Sequence, residues 1–518
     1  MNRRDKILWV DDEIDLLRPY VIFLQEKNYD VTLSTNGQDA IEMCQKQHFD
    51  IIFLDENMPG ISGLETLTQI KQIDASVPIV MITKSEEENL MDMAIGNKIA
   101  DYLIKPVNPK QILLALKKNI HKKDIIQEQA TSNYRSDFAQ IGMQINDSTS
   151  CDSWMDIYRK LVFWELELAN THNEMDELLM MQKSDANNMF AKFIKKEYAT
   201  WFEQPENRPL ISPDLFKKKV FPLLDKGEKV FFLLIDNFRF DQWRIIRDNI
   251  LSQYFTITED DLYYSILPTA TQYARNAIFS GLMPLQLQKT FPNLWIEEEG
   301  DENKNQNEEA LIASQIKRFC KPYTFSYRKV NNSAFGEKMV ELLPQILRND
   351  LNICVLNFID MLSHARTESQ MIRELANNEE AYRSLTLSWF EHSFAHDLFR
   401  ELAKHNVKLI ITTDHGAVKV TNPVKVVGDK NTNVNLRYKV SKSLSYNEKE
   451  VFEIRNPEKF GLPSPNVSST YVFATKSDFF AYPNNYNYYV NYYKDTVQHG
   501  GISLEEMLVP IATLEAKR

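Results

Sequence analysis

Cysteine is scarce. The 518 residues hold four, Cys44, Cys151, Cys320 and Cys354, far apart and in no CxxC spacing. That excludes a disulfide framework and a cysteine-based zinc finger. No apolar run approaches the roughly 20 residues of a membrane span. The opening MNRRDKILWVDDE is too short in its apolar part, and too acidic after it, for a secretory leader. The expected location is therefore the cytoplasm. Positive charge is also in deficit: 60 Lys and Arg face 72 Asp and Glu, a formal net charge of −12. This argues against duplex-DNA binding, which needs a basic face to displace phosphate counterions. No repeat of fixed period and no helix-turn-helix with a basic recognition helix is visible. What remains is an ordinary globular composition, 43% hydrophobic and 25% charged, which rules out global disorder. At roughly 100–200 residues per domain, two to four domains are expected.

Three segments follow along the chain. In residues 1–120, the runs KILWVDD, FDIIFLDENMPG, VPIVMIT and ADYLIKP are continuous and apolar, as parallel strands buried on both faces are. Helical patterns such as GQDAIEMCQKQ and GLETLTQIKQI separate them, giving a doubly wound, flavodoxin-like α/β domain. Residues 121–205 have almost no strand signal and no glycine beyond Gly142. WMDIYRKLVFWELELANTHNEMDELLMMQ repeats apolar positions at three and four, so a helical bundle or stalk is expected. Residues 206–518 return to a larger α/β domain, with KVFFLLIDNFR, NICVLNFID and KLIITTDHG each read as a strand stopping at an aspartate. IEEEGDENKNQNEE, from Ile296, reads as a solvated acidic loop without chemistry.

Ligands of an open parallel sheet bind beyond the carboxyl ends of its strands. Asp11 and Asp12 end the first run and Asp55 the third. Three carboxylates at one edge repel unless a hard cation such as Mg²⁺ lies among them. Thr83 and Lys105 end the next runs and add a hydroxyl and an ammonium. Lys105-Pro106 suggests a cis peptide that aims the lysine inward. In this order and spacing, these residues resemble the receiver domain of two-component response regulators over roughly residues 5–120. The resemblance implies that Asp55 is the phosphoacceptor and that Asp12, Asp55 and the Asn57 carbonyl bind Mg²⁺, with Asp11 helping through water. It further implies that Lys105 contacts the acyl phosphate, that Thr83 hydrogen-bonds it, and that Tyr102 is the switch aromatic. A cognate sensor histidine kinase is the implied partner.

Beyond residue 206, Asp and His gather at strand ends. Asp236 closes VFFLLID, Asp360 closes NICVLNFID with His364 four residues on, Asp414-His415 closes LIITTDHG, and His499 lies in QHGG. Three Asp and three His suit Zn²⁺ or Mn²⁺, and with a hydroxyl they would serve two metals. ILPTATQYARNAIFSG supplies that hydroxyl. Thr271 directly precedes a helical stretch, where an anion is favoured, and Thr269 is its rival. Arg275, one turn later, is a possible phosphate contact, although a surface or ion-paired arginine is the plainer reading. His392 and His396, four apart in SWFEHSFAHDLF, would share a helix face but lack the HExxH glutamate. They read as packing or surface residues. YPNNYNYYVNYYKD could stack bases, but reads first as aromatic loop packing.

The ordered set IDNFRFDQWR, PTATQYARNAIFSG, DxxxH, TTDHG and HGG resembles the PglZ domain of the alkaline phosphatase superfamily, on the phosphodiesterase branch with a threonine nucleophile. With a receiver in front, the whole chain resembles PorX-type response regulators of the type IX secretion system in Bacteroidetes. The resemblance implies two Zn²⁺ per chain: one on Asp236, Thr271, Asp414 and His415, the other on Asp360, His364 and His499. It implies a phosphodiesterase controlled at Asp55 and linked to type IX secretion and gliding. Oligonucleotide or cyclic-nucleotide-like diesters are the expected substrates, and phosphorylation is expected to drive homodimerisation through the face around Tyr102 and Lys105. The competing expectation is a non-catalytic signalling adaptor whose metal domain binds a sigma factor or secretion component.

Overall fold

The computed structural model describes residues 4–83, 99–120, 122–169, 174–296, 305–429, 432–464, 468–483 and 485–517. By its internal contacts the chain forms two compact units, Met1–Asn133 and Tyr134–Arg518.

In the first unit, strands Lys6–Val10, Asp30–Ser34, Ile51–Asp55, Ile79–Thr83 and Asp101–Ile104 form one parallel sheet. The second strand lies outside the first, and the third, fourth and fifth follow on its other side. Alternate residues serve opposite faces. Ile7, Trp9, Phe53 and Ile82 pack with Leu17, Leu24 and Leu116 on one side, and Leu8, Val10, Leu54 and Met81 with Ala40, Leu67 and Ile70 on the other. Local caps agree with the fold. Ser62 and Glu65 make a reciprocal capping box at the start of Gly63–Ile73, and Asn108 caps Pro109–Asn119. One expectation changes: ADYLI is not buried on both faces. Asp101–Ile104 is an edge strand, only half-buried, because a run of three apolar residues does not reveal whether a further strand flanks it.

The second unit is built on a six-stranded mixed sheet. Strands Lys408–Thr412, Val230–Ile235, Leu351–Leu356 and Phe325–Val330 run parallel, in that spatial order. Leu508–Ala516 and then Phe255–Tyr264 extend the Lys408–Thr412 edge antiparallel. Val230–Ile235 and Leu351–Leu356 are buried throughout, so their carboxyl ends open at one rim of the sheet. Among the described residues, three small sheets lie between His415 and His499. In one of them, Val418–Lys419 pairs antiparallel with Val497–Gln498 and brings His499 back beside His415.

The helices Cys151–Leu168 and Glu174–Glu197 belong to this second unit rather than standing apart as a stalk. Trp154 packs on Phe190 and Phe193 between them, and Tyr158 packs on Phe240 of the α/β part. Among the described residues no helix is long and apolar enough to cross a membrane.

Candidate metal centres

In the second unit, seven side chains expected to act together do meet, as two adjoining groups. Ligand atoms of Asp236, Asp414 and His415 lie within 4.8 Å of one another, as do those of Asp360, His364 and His499. The His415 and His499 rings stack at 4.2 Å and join the groups. Asn237 bridges them as well, donating to Asp360 Oδ1 at 3.3 Å. Thr271 Oγ1 is 3.1 Å from His415 Nε2 and 3.4 Å from Asp236 Oδ1.

Each donor is placed by its element. Asp236 follows Val230–Ile235, and Asp414 and His415 follow Lys408–Thr412 by one bend. Asp360 does not end its strand as expected. That strand stops at Leu356, and Asp360 sits in the first turn of helix Phe358–Glu368. There His364 comes at i+4 on the same face, with Nε2 at 3.5 Å from Asp360 Oδ2. Thr271 is the first residue of helix Thr271–Ser280, after Ala270 in extended conformation. The rival Thr269 points elsewhere: its hydroxyl donates to Gly501 O at 2.9 Å and accepts from Gly500 N. The motif glycines have steric reasons. A Cβ on Gly416 would lie 2.0 Å from the Glu505 carbonyl oxygen, and Gly500 holds φ +122.

The donor chemistry fits metal ions. His415 Nδ1 faces Gly416 O at 3.1 Å and His499 Nδ1 faces Thr269 O at 3.2 Å. If each Nδ1 carries the proton, each Nε2 keeps its lone pair for a cation. Burial lowers both imidazoles to about 4, so they are neutral at pH 7. Burial raises Asp414 to about 7 against the pull of Arg275, and burial with the neighbouring Asp236 raises Asp360. Such a concentration of buried carboxylate calls for positive charge.

Arg275 supplies part of it, which corrects the possible phosphate contact. Its guanidinium is fully buried, donating from Nε to Asp414 Oδ2 at 2.9 Å and pairing with Asp236. Its far side meets Glu308 at 3.4 Å. Glu308 comes from the stretch read as a solvated acidic loop, yet it is 1% exposed and also engages Lys329 and Tyr327. Asn305 from the same stretch donates to Thr271 O at 3.2 Å. Residues 297–304 of that stretch lie outside the described residues. A run of acids in sequence carries no sign of which one turns inward to meet an arginine.

The helical segment forms part of the surround, also unforeseen. Lys183 and Arg383 hold Glu165 at 2.6 and 2.8 Å. Arg383 reaches Asp241, which takes two bonds from Arg239, three residues past Asp236. Asn187 fixes the loop after His499 by bonds to Leu504 N and Glu505. Among the described residues, His392 and His396 join no donor group. His392 ends one helix and His396 belongs to the next, where it meets Tyr254 at 3.0 Å. The tyrosine-rich stretch is a helix, Tyr486–Tyr493, rather than a loop, with Tyr488 on Tyr492 and Tyr489 on Tyr493.

In the first unit, ligand atoms of Asp11, Asp12 and Asp55 also lie within 4.8 Å. Lys105 Nζ bridges Asp11 and Asp55 at 2.8 and 2.9 Å, and the Lys105-Pro106 peptide is cis. Burial raises the Asp55 carboxyl, against the Lys105 ammonium. Asn57 is exposed just past the strand. Thr83 donates to Glu56. Tyr102 is 37% exposed on the edge strand.

Three family models match, in order along the chain. Residues 7–117 match the response regulator receiver domain, residues 124–202 the PorX response regulator linker domain, and residues 215–514 the BREX system PglZ alkaline phosphatase-like domain. The last alone covers more than half of the chain. The chain belongs to the PorX-type response regulators. Its receiver implies a cognate histidine kinase, and its PglZ domain places it among alkaline-phosphatase-like phosphoesterase folds. Curated relatives match part of the chain. "Transcriptional regulatory protein ResD" of Bacillus subtilis is 36% identical over 112 residues, 22% of this chain and 46% of that protein. The same organism's "Alkaline phosphatase synthesis transcriptional regulatory protein PhoP" is 28% identical over 183 residues, 35% of this chain and 72% of that one. The chain thus spans about half the length of the first of these. Vibrio cholerae chemotaxis protein CheY4 is a similar solved structure, at 28% identity, covering 23% of this chain and 99% of that one with a TM-score of 0.22.

Proposed function

We propose that this chain is a response regulator whose output domain is a zinc-dependent phosphodiesterase with Thr271 as nucleophile. Its substrates are oligonucleotide or cyclic-nucleotide-like phosphodiesters, and phosphorylation of Asp55 in a Mg²⁺-bound receiver controls it. The observation that carries this reading is Thr271 Oγ1, 3.1 Å from His415 Nε2, at the start of a helix and beside two adjoining three-donor groups.

Asp236, Thr271, Asp414 and His415 would hold one zinc ion, and Asp360, His364 and His499 the other. Bound there, zinc supplies Lewis acidity to the diester and lowers the pKa of a coordinated hydroxyl or water. The chain's own contributions follow from its geometry. Thr271 Oγ1 attacks phosphorus; the Thr–O–P bond forms as the bond to the first alcohol breaks, and the proton lost from Thr271 passes through solvent to the departing alcoholate. The product is a threonine-linked phosphodiester that still carries the second alcohol. Water then attacks the same phosphorus, the Thr271 oxygen leaves and recovers a proton, and a phosphomonoester departs. Helix Thr271–Ser280 presents its amino-terminal N–H groups towards the anion, while Arg275 keeps that helix fixed to Asp236 and Asp414.

His364, whose side chain is 62% exposed, leaves the second group open to a substrate, which supports the enzyme over the adaptor reading. A closed site would serve an adaptor that binds a sigma factor or secretion component. The link to type IX secretion and gliding rests on the family. A panel of labelled linear and cyclic oligonucleotides, incubated with zinc-loaded protein, tests the substrate class. Conversion of at least one to phosphomonoester products is expected, and an unaltered panel from protein holding two zinc ions per chain would overturn it.

A further inference from the structure

A cavity of 690 Å³ lies within the second unit, between the helical segment and the loops around 449 and 475. No residue of either metal group lines it. Four lysines do: Lys192 and Lys195 from helix Glu174–Glu197, Lys449 from a turn, and Lys476 from the turn after strand Thr470–Ala474. Asp185 is the single acidic residue of the lining. Among the described residues none of the four ammonium groups has a carboxylate within ion-pair distance, unlike the buried lysine and arginines nearby.

Two of them are held in place. Lys195 Nζ donates to Val451 O at 2.7 Å. Lys476 occupies a left-handed backbone position, φ 54, and its N–H is bonded to Ile502 O. Burial and the Lys476 charge lower the Lys195 pKa, while Asp478 pulls it the other way. Four lysines against one lining carboxylate leave a concave wall of net positive charge, which a multiply charged anion relieves. Asn146, Asn188 and Thr475 add neutral hydrogen-bonding groups, and Phe138 and Met189 an apolar surface. A volume of this size accommodates a ligand larger than inorganic phosphate.

We propose that this cavity binds a nucleoside polyphosphate, its phosphates on Lys195 and Lys476, at a site separate from the metal centres. The test uses the full chain, stripped of metal with EDTA so that the metal groups cannot hold phosphate, and titrated calorimetrically with ATP and with inorganic triphosphate. Saturable one-to-one binding of ATP is expected, weakening with added salt, whether or not triphosphate alone also binds. The double variant Lys195→Gln/Lys476→Gln, with an unchanged circular dichroism spectrum, should bind at least about tenfold more weakly. His364→Ala should bind as the wild type does. No saturable ATP binding by the wild type, or equal affinity in the folded double variant, would overturn the proposal. Should the double variant not fold, Lys449→Gln, in an exposed turn, is read against the same wild-type isotherm, and an unchanged affinity there counts against it.

Discussion

Arg275 and Glu308 decide how the buried carboxylates of the first donor group coexist. Asp236, Asp414 and Glu308 surround one guanidinium that has no access to solvent. Removing one partner of such a set strands the others, at a typical cost of about 3–5 kcal/mol. Arg275→Met is therefore expected to lower the urea-unfolding free energy of the metal-free chain by about that amount, with Glu308→Gln acting in the same direction. If Arg275 instead touched substrate phosphate, its variant would keep full stability and show only a raised KM. Asp236, Asp414 and His415 were legible in sequence because each follows an apolar run, His364 by its spacing from Asp360, and His499 by its HGG, where the glycines of DHG and HGG mark where backbone must pass close. Arg275 and Glu308 were not, since a long side chain can point to solvent or inward with the same neighbours in sequence. Asp360 was assigned to a strand end because FID prolongs an apolar run, whereas the strand gives way to a helix at Asn357.

At the level of elements, the helical segment is a wall of the output domain. Glu165 of helix Cys151–Leu168 is buried; burial raises its carboxyl, but Lys183 and Arg383 lower it further, to about 2. An unfolded glutamate titrates near about 4.3. As pH falls the unfolded chain thus takes the proton first, so the pair's stabilisation is complete above about 4.3 and is lost towards about 2. Glu165→Gln should lower stability at pH 7 by about 3–5 kcal/mol and flatten the fall of the urea midpoint through that acid window. A variant whose midpoint tracks the wild type at every pH would show that the network contributes nothing. The amphipathic repeat announced these helices, but a stripe of apolar residues does not name its partner. Trp154, Tyr158 and Glu165 had to be seen against Phe193, Phe240 and Arg383.

For the whole molecule, the proposed function puts two chemistries on one chain: a carboxylate, Asp55, that accepts a phosphoryl group and a threonine, Thr271, that attacks a phosphodiester. The first was the easier to read, since Asp11, Asp12, Asp55 and Lys105 meet as their strand-end positions require. We propose that phosphorylation of Asp55 pairs two chains through the receiver face around Tyr102 and Lys105. Light scattering with beryllofluoride and Mg²⁺ should then give twice the monomer mass for the wild type and the monomer mass for Asp55→Asn. An unchanged wild-type mass would reject that pairing. The net charge of −12 still opposes wrapping around duplex DNA. Three of its aspartates face the receiver pocket and three the metal groups, where bound cations would reverse the local sign.

The most direct measurement of the central claim is turnover of bis(4-nitrophenyl) phosphate by the zinc-loaded Thr271→Ala variant, with zinc content determined on the same sample. Loss of a nucleophile predicts a fall in kcat of about a hundredfold or more, with the second zinc site still filled. Wild-type turnover from a variant of intact zinc content would contradict it.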